Sequence, residues 1–354
     1  MLVTLFRKLL LADGATLARA LGRRDWGVVV GPMLAAPEIR RPDLLAAVLD
    51  ALPLASEGIT VPNCRLTGLS GIGKTSLAAG YIFERADIYD VIFWADAESE
   101  MTLASSYSQI YRELRGQDAP VPADPAVLRE DVLTDLSCVA GRWLLVLDNC
   151  VDLRARDEWV PRAGGGHVIV TTTDSASPPW ASMLVPVTVM AVAQAVELLR
   201  KGLDMQSEPN VEQLGLLDRL ARELECWPLA LKLACAYLYG GYGIDNIPEY
   251  LRKMKVASLR NPALVPPRYP RPLVQAIELC VHRIRDDMAS PEPTTSLAAA
   301  YALIALRVSG YTSSKQIPIH LVLSVPVIDP DPAGQFPGRI PPSGRTARGA
   351  RRVR

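Results

Sequence analysis

Residues 66–77 read Leu-Thr-Gly-Leu-Ser-Gly-Ile-Gly-Lys-Thr-Ser-Leu. Within them Gly68, Gly73, Lys74 and Thr75 fit the phosphate-loop pattern G-x-x-x-x-G-K-S/T at its required spacing. Glycines allow successive backbone N–H groups to curl around a phosphate, while the Lys74 ammonium reaches the outer phosphates. The Thr75 hydroxyl is the expected Mg²⁺ ligand, and Ser70, Gly71, Ile72 and Ser76 complete the candidate contacts within and just after the loop.

The flanking sequence supports this reading. Asn63–Thr67 is a short strand-like run leading into the loop, and residues 74–84 have Leu77, Ala78 and Tyr81 on one helical face. A strand, a glycine turn and a helix N-terminus thus follow in order, placing the helix dipole behind the phosphates. The alternative is a glycine-rich turn with no ligand.

Residues 142–149, Arg-Trp-Leu-Leu-Val-Leu-Asp-Asn, read as a buried parallel strand ending in an acid. Asp148 is therefore the Walker B candidate, a second Mg²⁺ ligand and a candidate catalytic carboxylate at the sheet edge where open α/β folds bind ligands. Buried strands also end in Asp merely to turn. Two further apolar runs, Val91–Asp96 and His167–Thr172, are rich in β-branched or aromatic residues. Helical stretches at 103–114 and 126–140 lie between the strands, and a fifth apolar run occupies 184–190. The alternation predicts an α/β fold, a parallel sheet sandwiched by helices.

The order of motifs resembles the NB-ARC type of STAND nucleotide-binding switches within the P-loop NTPases. Residues 91–96 are similar to that family's hydrophobic-Trp strand, 144–149 to its Walker B, 168–174 to its sensor strand, and Cys226-Trp227-Pro228-Leu229-Ala230 to its GLPLA motif. The resemblance covers about residues 36–240. It implies a nucleotide-binding switch holding ADP or ATP with Mg²⁺, with Pro228 against the adenine. Pro228 also reads simply as a helix start.

Three departures bear on mechanism. Thr173 stands where the family's sensor strand commonly has an Arg, and threonine offers no charged bidentate contact to phosphate. Asn149 replaces a second acid after Asp148, leaving Asp152 as a substitute catalytic candidate, and no Met-His-Asp motif follows. Nucleotide binding with slow or no hydrolysis is therefore expected; the alternatives are an ATP-hydrolysing enzyme and a degenerate, truncated nucleotide-binding module.

The expected organisation is a short helical N-terminal segment at 1–35, the NTPase domain at 36–190 and a helical domain at 191–255. A Pro-rich linker at 256–272, a partial winged-helix-like region at 273–324 and a disordered basic tail at 325–354 follow. Residues 191–201, 211–224 and 228–239 carry apolar positions at helical spacing. Prolines 262, 266, 267, 270 and 272 mark the linker, and six arginines lie in the tail. His167, His282 and His320 read as surface or packing residues.

The chain has 354 residues, 49% of them hydrophobic, enough material for two or three packed domains. Net charge is zero, with 38 basic and 38 acidic residues, so no global field draws it to nucleic acid or lipid. Residues 1–22 resemble a helix-turn-helix only faintly, and nucleic acid is not the expected partner. Protein partners or self-association on activation are expected instead. The six cysteines show neither a C-x-x-C pair nor a zinc spacing and read as small buried residues in a reducing compartment. No run approaches the roughly 20 apolar residues that cross a bilayer, and a cytoplasmic location is the expectation.

Overall fold

The structure is a computed structural model that describes residues 28–31, 36–53, 61–139, 141–174, 182–239, 243–257, 269–291, 295–296, 299–300 and 302–303. The chain divides after Cys280 into two compact units, residues 1–280 and 281–354. The sheet and the helices discussed below belong to the first, except that the last helix runs across the division.

That unit holds a six-stranded sheet in the order β1-β3-β4-β5-β2-β6, every neighbouring pair parallel. The strands are β1 (Val28–Val30), β2 (Asn63–Thr67), β3 (Val91–Asp96), β4 (Trp143–Cys150), β5 (His167–Thr172) and β6 (Met183–Pro186). Parallel strands need helical crossovers. Accordingly α1 (Pro42–Ala51) joins β1 to β2, α2 (Lys74–Arg85) joins β2 to β3, and α3 (Glu100–Arg115) with α4 (Pro125–Cys138) joins β3 to β4. After the sheet come α5 (Val192–Gly202), α6 (Val211–Glu223), α7 (Pro228–Tyr239), α8 (Ile247–Ala257) and α9 (Arg271–Met288).

Side-chain alternation along the central strands divides the core in two. Ile92, Trp94, Leu144, Val146 and Ile169 join a core containing α1, α2 and residues of α5 to α9. Phe93, Ala95, Leu145, Leu147, Val168 and Val170 join the core beneath α3 and α4. Local signals fix the crossover helices: Ser99 and Thr102 form a reciprocal capping box on α3, and Asp124 with Pro125 opens α4.

The sequence reading placed residues 1–35 in a helical segment; Val28–Val30 is instead a strand, in register with Val91, Ile92 and Phe93. Three consecutive β-branched residues favour a sheet edge over a helix. Residues 1–27 lie outside the described residues. The expected linker is shorter at both ends, because α8 runs to Ala257 and α9 begins at Arg271. Most of the expected winged-helix-like region and the whole tail from 325 lie outside the described residues, as does His320. Among the described residues no helix is long and apolar enough to cross a membrane.

His167 is a packing residue, 2% exposed. Its Nε2 lies 3.2 Å from the Pro53 carbonyl, which can only accept, so Nε2 donates and Nδ1 accepts from the Tyr89 hydroxyl at 2.6 Å. Tyr89 in turn accepts from Tyr81 of α2 at 2.6 Å. Burial depresses the imidazole pKa to about 4, so the ring is neutral. Burial likewise raises the thiols of Cys64 and Cys235 to about 12, which keeps them protonated.

Candidate functional site

β2 lies inside the sheet between β5 and β6, and its buried residues deliver the chain to Gly68 at the carboxyl edge. There the backbone turns through two conformations that an L side chain resists. Gly71 has φ 77°, and a Cβ on it would lie 2.7 Å from Leu229 Cβ at the start of α7. Gly73 has φ 101° in open space as the residue preceding α2, so its requirement is conformational. The Gly71 carbonyl accepts from the Leu229 amide at 3.2 Å. The loop is thereby joined to the helices that follow the sheet.

Lys74 is buried at the first position of α2, and its Nζ donates to the carbonyls of Gly68 at 2.7 Å and Leu69 at 3.0 Å. Desolvation lowers its pKa, and the Asp148 charge partly offsets that. The Thr75 hydroxyl donates to Asp148 Oδ1 at 2.9 Å, and Thr171 of β5 donates to the same oxygen at 2.6 Å. Asp148, 3% exposed at the end of β4, is thus joined to the loop across the intervening strand β5.

A cleft of about 630 Å³ opens beside this cluster. Gly71, Ile72, Gly73, Lys74, Thr75, Ser76 and Pro228 all line it. Gly68, Ser70, Asp148 and Asp152 are not in its wall, although Gly68 and Asp148 bond to Lys74 and Thr75, which are. Asp152 is exposed beyond β4, with Oδ1 accepting from the amides of Arg154 at 2.9 Å and Ala155 at 3.0 Å. Its carboxylate closes a turn. Thr173 is exposed past the end of β5.

One further part of the wall was not read from the sequence. Residues 36–41 cross the cleft as a strap, tied by a Glu38–Lys232 ion pair to α7, by Lys201 Nζ donating to the Glu38 carbonyl at 2.9 Å, and by Arg41 Nη2 donating to the Val189 carbonyl at 2.9 Å. Arg41 is 8% exposed, and its Nε and Nη1 are buried with no hydrogen-bond partner among the described residues. Two unsatisfied donors on a buried cation in a cleft wall suit a ligand rich in acceptors. Desolvation lowers the Arg41 pKa, but a guanidinium retains its charge.

This donor set fits a nucleotide with its metal. The loop amides and Lys74 suit phosphate, and a hydroxyl with a carboxylate supplies the oxygen ligands that Mg²⁺ takes.

No family model matches the chain. A nucleotide-binding leucine-rich repeat (NLR)-like protein of Hyaloscypha variabilis is 26% identical over 248 residues, covering 64% of this chain and 24% of the relative. The chain therefore spans about a quarter of that relative's length. Among solved structures, a Walker-type ATPase of Pyrococcus abyssi aligns with a TM-score of 0.39 and 13% identity, over 82% of this chain and 91% of the other. A STAND protein with a tetratricopeptide repeat sensor from Pyrococcus horikoshii aligns with a TM-score of 0.36 and 16% identity, over 78% and 49%. The motif order and the parallel sheet are those of a P-loop NTPase fold, and the curated relative makes the chain similar in sequence to an NLR-like protein.

Proposed function

We propose that the chain is a regulatory switch whose state is set by ADP or ATP at residues 68–76, with exchange changing how the sheet and the later helices are arranged and which partners they recruit. The observation that carries this reading is the seat of α7 on the phosphate loop. Leu229 donates to Gly71 through the backbone and packs where a side chain at 71 would stand, and Pro228 lines the same cleft as Lys74 and Thr75. A ligand there touches both halves at once, so its chemistry can bias their arrangement.

Lys74 and the loop amides hold the phosphates in this proposal, and Thr75 and Asp148 hold Mg²⁺. The metal supplies charge neutralisation between the phosphates when bound. Pro228 lies against the base, as the family resemblance implies, and Arg41 offers nucleotide acceptors its Nε and Nη1, which have no partner among the described residues. A switch also requires that ADP and ATP differ in affinity for the two arrangements; equal affinity shifts nothing.

The test is the identity of the nucleotide that co-purifies with the protein, determined by mass, together with turnover on added Mg²⁺-ATP. Tightly held ADP with very slow turnover is the expected result. An empty site with rapid hydrolysis overturns the switch in favour of an ATP-hydrolysing enzyme. Lys74→Ala should abolish nucleotide binding while leaving the far-ultraviolet circular dichroism unchanged, and retained micromolar binding would remove the lysine from its assigned role.

A further inference from the structure

We infer that Asp96 is the general base for the slow hydrolysis of ATP at this site, an assignment that rests on the nucleotide reading of residues 68–76. The acid that would conventionally follow Asp148 is Asn149, whose amide side chain takes no proton. The strand is also irregular there: Asn149 has φ 63°, a register shift interrupts the β4–β5 ladder between Leu147 and Cys150, and the Asn149 amide donates to Thr171 Oγ1 at 2.9 Å. Asp152, the nearest acid in sequence, lies beyond the end of β4 in a turn, out of register with Asp148.

The neighbouring strand supplies a carboxylate instead. Asp96 ends β3 in direct register with Asp148 on β4, and neighbouring parallel strands lie about 4.8 Å apart. The alternation fixes the face: Ile92 and Trp94 on β3, like Leu144 and Val146 on β4, enter the core beneath α2. Asp96 and Asp148 continue these two rows to the carboxyl edge, on the side from which Thr75 reaches Asp148. Ligands in open α/β sheets bind at that edge.

The two acids are held differently. Asp148 is 3% exposed, and its Oδ1 takes hydroxyl bonds from both Thr75 and Thr171. Asp96 is only partly buried. Its Oδ1 accepts the Glu98 amide at 3.1 Å, and its own amide donates to Ser106 Oγ of α3 at 3.1 Å, which fixes its backbone. The cleft that Thr75 lines is also lined by Arg41, more than nine-tenths buried, whose Nε and Nη1 have no hydrogen-bond partner among the described residues, which suits an acceptor-rich ligand beside this edge. In the assigned step the oxygen of a water molecule bonds to the γ-phosphorus as the bond from that phosphorus to the bridging oxygen of ADP breaks. Asp96 takes the water proton and passes it to the departing inorganic phosphate.

The experiment uses the full chain in single-turnover assays with Mg²⁺-ATP, alongside equilibrium binding of fluorescent ADP, thermal melting and mass identification of the co-purified nucleotide. Asp96→Asn is the informative variant, because its amide oxygen can still accept the Glu98 amide while losing the base. The expected result is a fall in turnover of about a hundredfold or more. ADP affinity should stay within about twofold and Tm should not move, since neither the loop nor the cap is altered. ATP should replace ADP in the purified variant. Glu98→Gln, two residues along the same turn, should turn over like the parent chain.

Equal turnover in Asp96→Asn overturns the assignment, and so does loss of ADP binding in it or a fall confined to Glu98→Gln. A parent chain that binds nucleotide but never hydrolyses it overturns Asp96 alone. A parent chain that binds no nucleotide overturns the site reading itself.

Discussion

The two faces of the sheet carry different duties. Beneath α3 and α4 the core closes on aromatic and branched side chains, and two of its buried polar groups are bonded locally: Trp143 Nε1 donates to the Leu136 carbonyl at 2.9 Å and the Tyr107 hydroxyl to the Trp159 carbonyl. The face beneath α1 and α2 holds the phosphate loop, Asp148, a buried imidazole and an arginine with unmet donors. Polar groups there cost stability unless they are bonded. The first face is closed mainly by apolar packing, and the second carries the phosphate loop and the polar cluster around it.

Substitutions can break this division. The largest expected effect is on the closed face: Trp143→Ala, at a fully buried ring against which Gly166 is pressed, should cost about 4 kcal/mol in urea unfolding. If the division holds, whatever fraction stays folded should bind ADP with unchanged affinity.

Next comes acid on the other face. The His167 pKa is depressed to about 4 against about 6.5 in the unfolded chain, so the unfolded state binds more protons between these values. His167 therefore adds no pH dependence above about pH 6.5, and stability is lost as pH falls from there towards 4, by about 3 kcal/mol in total. Carboxylates titrate over part of the same range, so the measurement is the difference in pH slope between the parent chain and His167→Gln. Equal slopes would show that the imidazole is not the acid-sensitive group.

A smaller effect is expected at Arg41. Arg41→Ala should weaken ADP by about tenfold, the loss of a hydrogen bond from a charged donor. Because it also removes two buried donors that have no partner among the described residues, its unfolding free energy should change less than that loss of affinity, as compared by calorimetry and chemical denaturation. Smallest is Ser99→Ala, back on the closed face, where loss of the α3 capping box should cost about 1 kcal/mol with no change in nucleotide affinity.

What could be read from the sequence follows the range of the interactions. The phosphate loop, the Asp148 strand and the helices between strands are encoded within short windows, by spacing and periodicity, and α3 and α4 begin and end within a few residues of their expected bounds. Arg41 was missed because an arginine before Pro42 looks like an ordinary helix start; its burial depends on Val189, far along the chain. The relation of Asp96 to Asp148 depends on register between strands separated by a helical crossover, which no local pattern reveals. Proximity along the chain pointed instead to Asp152, whose carboxylate closes its own turn.

The hydroxyl and imidazole relay has a further use. Because the Pro53 carbonyl has no proton to give, every donor from Tyr81 through Tyr89 to His167 points one way, and one tautomer is selected. The Nε2 proton of this imidazole should therefore exchange slowly with water and give a resolved signal in nitrogen-detected magnetic resonance. That single resonance would report, without any added dye or ligand, whether the helix behind the phosphate loop is seated.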